Sequence, residues 1–449
     1  MCGLIAAKNT NLDLKKIINK MSYRGILGYK GYADTVTGVD ERFSLCHYSL
    51  PFVNLDPDVA IQPVYIDNSY TRPWLLPARP SLFVGEIFNY KEIGDQPTDG
   101  LCISHAFHNS DNWIDEFHKF DGFWSFVTVL DGDLIAITDY LSQKPIYYRT
   151  DTEAFASEID VLKDFGPVTP NELFLSNTLK WGYDPTGLTP WNEIKQIPPG
   201  CYYHKGNIHQ YWDWSKVDRS NSLRSDLKKA TELRLGGERE VSILLSGGLD
   251  SSIIYGLIKE LGREVKAIHV ENHEKDFASL MTQDLIEVTL DDVSDEDAVR
   301  IHQSPVDLGS VKPQIAMASK LKDLGFHAVM TGDGADELFG GYRRAEQYDS
   351  QHSDVFCELP YYHLPKLDRT MMYYTVELRS PFLAPSVVKH ALDLPYEMRK
   401  GIKQKLIDEF AYLLPTEILE RQKHPLKTDS IRKDPMSQRI ANNEIWKNL

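Results

Sequence analysis

The sequence predicts an α/β protein built from two successive domains, and three observations carry that prediction. At 449 residues the chain is longer than one hydrophobic core usually supports. Residues 1–212 hold mainly short β-branched or aromatic segments bounded by Gly, Asp or Pro, which read as strands. From residue 222 onward, strand signals alternate with helix signals. That is the pattern of a parallel sheet with helices on both faces and ligands at the C-terminal ends of its strands. The polar, charged stretch 213–221 reads as a linker, giving domains 1–212 and 222–449.

Taken in order, Leu4-Ile5-Ala6-Ala7 is an apolar strand behind Met1-Cys2-Gly3. Segments 82–89, 122–130, 134–140 and 146–149 continue the strands, with a short helix from Trp113 to Phe120. The second part runs strand 241–246, helix 253–261, strand 265–271, helix 312–324 and strand 327–332. The tract from His352 to His363, with Cys357 and prolines, reads as a connecting loop or lid. Residues after Thr428 are polar and read as weakly ordered. His105 and His108 read as a structural or surface pair, because no third zinc ligand is near.

A quarter of the residues are charged and 42% are hydrophobic, which excludes wholesale disorder. A net charge of −16 argues against nucleic acid or an anionic membrane as a partner. The five cysteines are scattered and form no Cys-x-x-Cys pair, which points to a reducing compartment. No apolar run is long enough to span a bilayer and no signal-like segment opens the chain, so a cytoplasmic location is expected.

Two stretches carry chemistry. Ser246-Gly247-Gly248-Leu249-Asp250-Ser251-Ser252 follows the buried strand Val241–Leu245 and opens an apolar helix. Its glycines let backbone approach a ligand closely. Serine hydroxyls, unpaired backbone N–H groups and the helix dipole favour an anion there. Asp250 beside a triphosphate makes sense with Mg²⁺ between them. The chain has no Gly-x-x-x-x-Gly-Lys-Ser/Thr loop. At the other end, removal of Met1 would make Cys2 an N-terminal nucleophile. Its own α-amine, with a pKa of about 8, could take the thiol proton.

The heptad resembles the signature of ATP pyrophosphatases, which cleave ATP between the α- and β-phosphates and adenylate a carboxyl group. Cys2, Arg24-Gly25, Gly85-Glu86-Ile87-Phe88-Asn89, Asp99 and Phe155-Ala156-Ser157-Glu158 come in the order seen in class II glutamine amidotransferase domains. Asp139, Leu141, Lys144-Pro145 and Tyr147 match another of their stretches, and Pro198-Pro199-Gly200 falls near the usual domain end. Thr331-Gly332-Asp333-Gly334-Ala335-Asp336-Glu337 through Tyr342 is similar to the second nucleotide loop of glutamine-hydrolysing asparagine synthetases. Arg369, Val376–Leu383 and Arg421-Gln422-Lys423 match later blocks of that family in order. The resemblance spans nearly the whole chain. It implies an N-terminal nucleophile-type αββα sandwich, then a doubly wound parallel-sheet domain (adenine nucleotide α-hydrolase-like) with C-terminal helices.

It also implies two half-reactions. Cys2 thiolate would attack the side-chain amide of glutamine and release ammonia. Gly85 N–H would help hold the oxyanion, with Glu86 and Asp99 in the glutamine pocket. Aspartate's side-chain carboxylate would attack the α-phosphate of Mg-ATP, giving β-aspartyl-adenylate and pyrophosphate. Ammonia arriving through an internal tunnel would then displace AMP. ATP would be held by Leu244, Ser246, Gly247, Gly248, Leu249, Asp250, Ser251, Ser252, Val270, Thr331 and Gly332. Mg²⁺ would sit on Asp250 and Asp336, and Lys423 and Asp333 would serve catalysis. Anionic substrates need a locally basic site, for which Arg379, Arg421 and Lys423 are candidates. The implied partners are small molecules (aspartate, ATP, and glutamine or ammonia), and the resemblance admits a homodimer.

Several positions depart from the family. Ser49, in His47-Tyr48-Ser49-Leu50-Pro51, stands where the family has the arginine that grips glutamine's carboxylate. A charge-assisted bidentate contact becomes a neutral one. Val84 precedes Gly85-Glu86 where Asn would supply an oxyanion donor, and Thr138 and Ser142 replace an Arg and a Gly. In the second half Asp333 stands for Glu, Ala384 for Asp, and Val311-Lys312-Pro313 for Ser-Thr-Pro. Two alternatives therefore stay open. One is a ligase that takes ammonia directly or uses another acceptor; the other is a non-catalytic nucleotide-binding descendant. Cys2 disfavours the related β-lactam synthetase branch, which typically lacks that cysteine.

Overall fold

The computed structural model describes residues 3–8, 12, 14–24, 36–40, 43–48, 64–66, 79–237, 239–271, 274–305, 309, 311–342, 353–399, 403–421 and 435–448. Twelve strands precede residue 211. They are β1 (Gly3–Lys8), β2 (Val36–Asp40), β3 (Phe43–Tyr48), β4 (Val64–Ile66), β5 (Arg79–Ile87), β6 (Gly122–Leu130), β7 (Asp133–Thr138), β8 (Tyr147–Arg149), β9 (Ala154–Ala156), β10 (Ile194–Gln196), β11 (Cys201–His204) and β12 (Asn207–Gln210). They form two six-stranded sheets, ordered β10-β8-β9-β1-β3-β2 and β12-β11-β7-β6-β5-β4, with antiparallel pairing throughout.

β1 shows why both faces of a sheet are apolar here. Successive side chains on a strand point to opposite faces. Leu4 and Ala6 join the core between the two sheets, with Leu82, Val84, Val127 and Ala136. Ile5 and Ala7 point the other way, into a cluster with Ile17, Ile18, Ile159 and Leu162 from helical segments. The helix Asp99–Asn109 covers the outer face of the second sheet, with Ile103 and Phe107 packed beside Phe83 and Phe126. The resulting order is helix, sheet, sheet, helix, the αββα layering expected.

The third sheet is parallel and carries the order β15-β14-β13-β16-β17. Its strands are β13 (Val241–Leu244), β14 (Lys266–Val270), β15 (Leu285–Val288), β16 (Ala328–Met330) and β17 (Glu377–Arg379). Ile243, Ala267 and Met330 face one core with the helix Leu249–Glu260, while Ile268 and Val329 face another with the helix Val311–Asp323. Burial on both faces explains why these strands read as continuous apolar runs. Strand order is double-wound from β13, which leaves its C-terminal end at the switch point.

Two expectations are corrected. The tract His352–His363 is not a loop within its described part. It is a helix, Ser353–Glu358, that widens into a π-type turn at Leu359–His363 and runs on into the helix Leu364–Met372. The C-terminal residues are not loose either, since Pro435–Asn448 is a helix docked on the helices Glu172–Trp181 and Asp295–His302. Trp446 is 7% exposed there, with its ring 4.8 Å from that of Trp191. Among the described residues no helix is long and apolar enough to cross a membrane.

One apolar core passes between the halves, running from Phe83, Trp124 and Tyr140 through Trp212 to Leu245, Leu383 and Phe410. Stretch 213–221 is packed into it: Trp214 lies 5.7 Å from Tyr140 and 5.6 Å from Trp212, and Val217 is buried.

Candidate active site

The turn after β13 is held by its own side chains. Ser246 N–H donates to Ser251 Oγ (3.3 Å), Gly248 N–H donates to Ser246 Oγ (3.2 Å), and the Ser251 hydroxyl donates to Gly248 O (3.3 Å). Gly247 takes a left-handed φ of 73°, and a Cβ there would lie 2.6 Å from Ala278 N, so the turn tolerates only glycine. Gly248 precedes the helix Leu249–Glu260, whose first turn carries Asp250. Ser252 Oγ is buried with no hydrogen-bond partner among the described residues. A buried hydroxyl left that way suits a ligand-facing position.

The second loop, after β16, packs directly on the first. A Cβ on Gly332 would sit 2.6 Å from Asp250 Cβ and 2.9 Å from Ser251 N. This contact brings Asp250 and Asp336 to one place. Between them lies the ammonium of Lys403, 2.5 Å from Asp250 Oδ1 and Oδ2 and 2.5 Å from Asp336 Oδ1. Thr331 is buried, with its N–H on Arg379 O (3.1 Å). Burial pushes the Asp333 carboxyl up from its ordinary range, against the Thr331 hydrogen bond. Leu244 and Val270 are half-buried at the ends of β13 and β14, and Leu249 is half-buried at the helix start.

Of the three cations expected to make the site basic, two are committed elsewhere. Arg379 is buried and paired with Glu377 (2.8 Å) and with Glu86 of the other half (2.8 Å). Arg421 donates to Gly247 O (2.6 Å), pairs with Glu274 and lies over the Phe277 ring. It therefore braces the first loop. Lys423 lies outside the described residues. Lys403 was not singled out from sequence, because it sits in a polar stretch without a motif, 153 residues from Asp250.

On the amidotransferase-like side, Cys2 and Ser49 lie outside the described residues. Arg24 marks their neighbourhood: a Cβ on Gly3 would be 3.4 Å from Arg24 Cδ. Gly85 has φ 132°, and a Cβ there would clash with Phe123 O at 1.9 Å. Asp99 heads its helix, accepting from Ile87 N–H (3.2 Å) and Gly100 N–H (2.9 Å). Burial raises the Glu86 carboxyl well above its ordinary range, opposed by Arg379, and Glu86 Oε1 has no hydrogen-bond partner among the described residues. The structure thus turns Glu86 toward the other half of the molecule. Val84 is fully buried between the sheets. The Thr138 hydroxyl donates to Pro198 O (2.9 Å), and Ser142 takes a left-handed φ of 53° where glycine would be unstrained.

A cavity of about 30 Å³ lies between the halves. Phe123, Gln143 and Lys144 wall it on one side, and Asp333, Asp368 and Met371 on the other. It is large enough for one molecule the size of water. Asp368 pairs with both Lys144 (2.5 Å) and Arg24 (2.6 Å), and Arg369 donates to Tyr147 Oη (2.5 Å) and His302 O (2.6 Å).

His105 is exposed, and His108 bonds Ser81 Oγ (3.2 Å) and Thr128 Oγ1 (3.0 Å). No group of three or more metal-ligating side chains occurs among the described residues.

Comparison with known proteins adds an independent line. A glutamine amidotransferase domain model matches residues 1–212, and an asparagine synthase model matches residues 222–360 and 348–443. A rice (Oryza sativa subsp. japonica) protein, asparagine synthetase [glutamine-hydrolyzing] 2, is 25% identical over 490 residues, covering 94% of this chain and 76% of that relative. The Zea mays asparagine synthetase [glutamine-hydrolyzing] is 24% identical, covering 94% and 77%. The Homo sapiens one is 25% identical, covering 82% and 74%. With one model matching each half and full-length relatives spanning both, the chain belongs to the glutamine-hydrolysing asparagine synthetase family of carbon–nitrogen ligases.

Proposed function

We propose that this protein converts aspartate to asparagine with ATP, through a β-aspartyl-adenylate, releasing AMP and pyrophosphate. Residues 1–212 serve as the glutaminase, 213–221 as the linker and 222–449 as the synthetase. The observation that carries this reading is the contact of Gly332 with Asp250, which brings two carboxylates from two strand-end loops onto one cation position.

That donor set fits Mg²⁺, which is usually bound by one or two carboxylates together with substrate phosphates rather than by an all-protein cage. Asp250 and Asp336 would hold it, and the ion would neutralise charge on the phosphates. The chain's own groups do the rest. The turn Ser246–Ser252 offers hydroxyls and helix N–H groups to the triphosphate. Leu244, Val270, Thr331 and Gly332 form the wall for adenosine. Lys423 adds positive charge at the reacting phosphate, and Asp333 lies at the mouth of the cavity from which ammonia would come. In the other half Cys2 attacks glutamine, with its own amine as base, Gly85 N–H toward the oxyanion and Asp99 toward the substrate amine.

A second reading, direct use of ammonia, is favoured by Val84, whose buried side chain offers no oxyanion donor. One experiment separates the two. Protein checked for Met1 removal is incubated with Mg-ATP and aspartate, plus glutamine or ammonium, while pyrophosphate, AMP, asparagine and glutamate are measured. Asparagine from both donors is expected. Asparagine from ammonium alone would remove the glutaminase, and none from either would overturn aspartate as the acceptor.

A further inference from the structure

Lys403 stands where the proposed function puts a metal ion. Its ammonium touches both oxygens of Asp250 and one of Asp336, so one positive charge is shared by two carboxylates and the trio keeps a net negative charge. Three features show that this placement is built into the fold. Lys403 is 4% exposed. Its backbone is left-handed (φ 57°, ψ 42°) at the start of the helix Gln404–Phe410, a conformation that a lysine adopts only when its surroundings hold it there. Gly341 makes the room: a Cβ there would lie 1.7 Å from Asp336 Oδ1 and 2.7 Å from Lys403 Cε.

We propose that Lys403 is an internal counter-ion that reserves the cation position of the nucleotide site and keeps a bare divalent ion out. A divalent ion on Asp250 and Asp336 would lie within contact of the ammonium, so the two cations exclude each other. Nucleotide phosphates change that balance. They bring the negative charge that lets Lys403 leave the carboxylates while a metal ion takes its place. Metal and nucleotide therefore enter together, and metal alone binds weakly. This inference rests on Asp250 and Asp336 being the metal ligands.

The test is Mn²⁺ binding followed by electron paramagnetic resonance, without nucleotide, on the full-length protein and on Lys403→Met and Lys403→Gln. Glutamine keeps amide donors for the carboxylates and so guards against a variant that fails to fold. Wild type should bind Mn²⁺ weakly, and both variants at least tenfold more tightly. Asp250→Asn added to either variant should abolish the gain. In parallel, Mg²⁺ alone should raise the melting temperature of the Lys403 variants and leave wild type unchanged. Equal Mn²⁺ affinity in wild type and variants, with Asp250→Asn weakening both, would overturn the counter-ion role and leave the metal ligands standing. No Mn²⁺ binding by the variants, or binding indifferent to Asp250→Asn, would overturn both.

Discussion

A single methyl group decides whether the two nucleotide loops can touch. Gly332→Ala would put a Cβ 2.6 Å from Asp250 Cβ, and the loops would separate. A displacement of about 1 Å at a reacting centre costs on the order of 100-fold. Pyrophosphate release should fall by that order with the melting temperature little changed. Ser142 offers the opposite case. Its φ of 53° costs a non-glycine residue about 1 kcal/mol, so Ser142→Gly should raise the urea midpoint by roughly that stability, less some chain entropy. At this scale the sequence was legible wherever residues sit in one continuous turn, as in Ser246–Ser252. It was silent on Lys403, whose partners come from two other loops. It misjudged Arg379, because the sequence does not show that two glutamates neutralise it across a buried contact.

Elements were legible where apolar residues ran unbroken. The strand of 122–130 is found at Gly122–Leu130, and that of 241–246 ends two residues early, at Leu244. Helices made from mixed residues were missed. In Pro435–Asn448 the buried positions include Asn442 and Asn443 beside Trp446, so no clean apolar stripe marks it. The prolines of the tract 352–363 suggested a break, yet Pro360 falls where the helix widens and Pro365 in the first turn of the next helix, positions where a missing N–H is tolerated. Trp446→Ala should cost about 3 kcal/mol, by loss of packing on Trp191 and its neighbours. Urea denaturation, together with faster proteolysis after residue 435, would show it.

For the whole molecule, Asp368 ties the halves together. Burial pushes its carboxyl up, but Arg24 and Lys144 outweigh that and hold it at about 2, below the ordinary 3.8. The folded state therefore binds this proton less readily than the unfolded chain. The stabilisation, about 2 kcal/mol, is complete above pH of about 4 and is lost as pH falls toward 2. Urea midpoints between pH 5 and 3 should begin to fall along this limb in wild type. In Asp368→Asn that contribution should be absent, and stability at neutral pH should be lower by roughly 3 kcal/mol, because Lys144 loses its buried carboxylate. Contacts of this kind link residues hundreds of positions apart, which is why the domain order could be read and the interface could not. The apolar core that crosses from Trp124 to Phe410 has a last consequence, for how such a protein changes over generations. A first half that is also a wall of the second stays under selection for its shape, even when its own catalysis is not needed. Substitutions such as Ser49 and Val84 can then accumulate in the glutamine pocket without the half being discarded, and losing one activity need not shorten the chain.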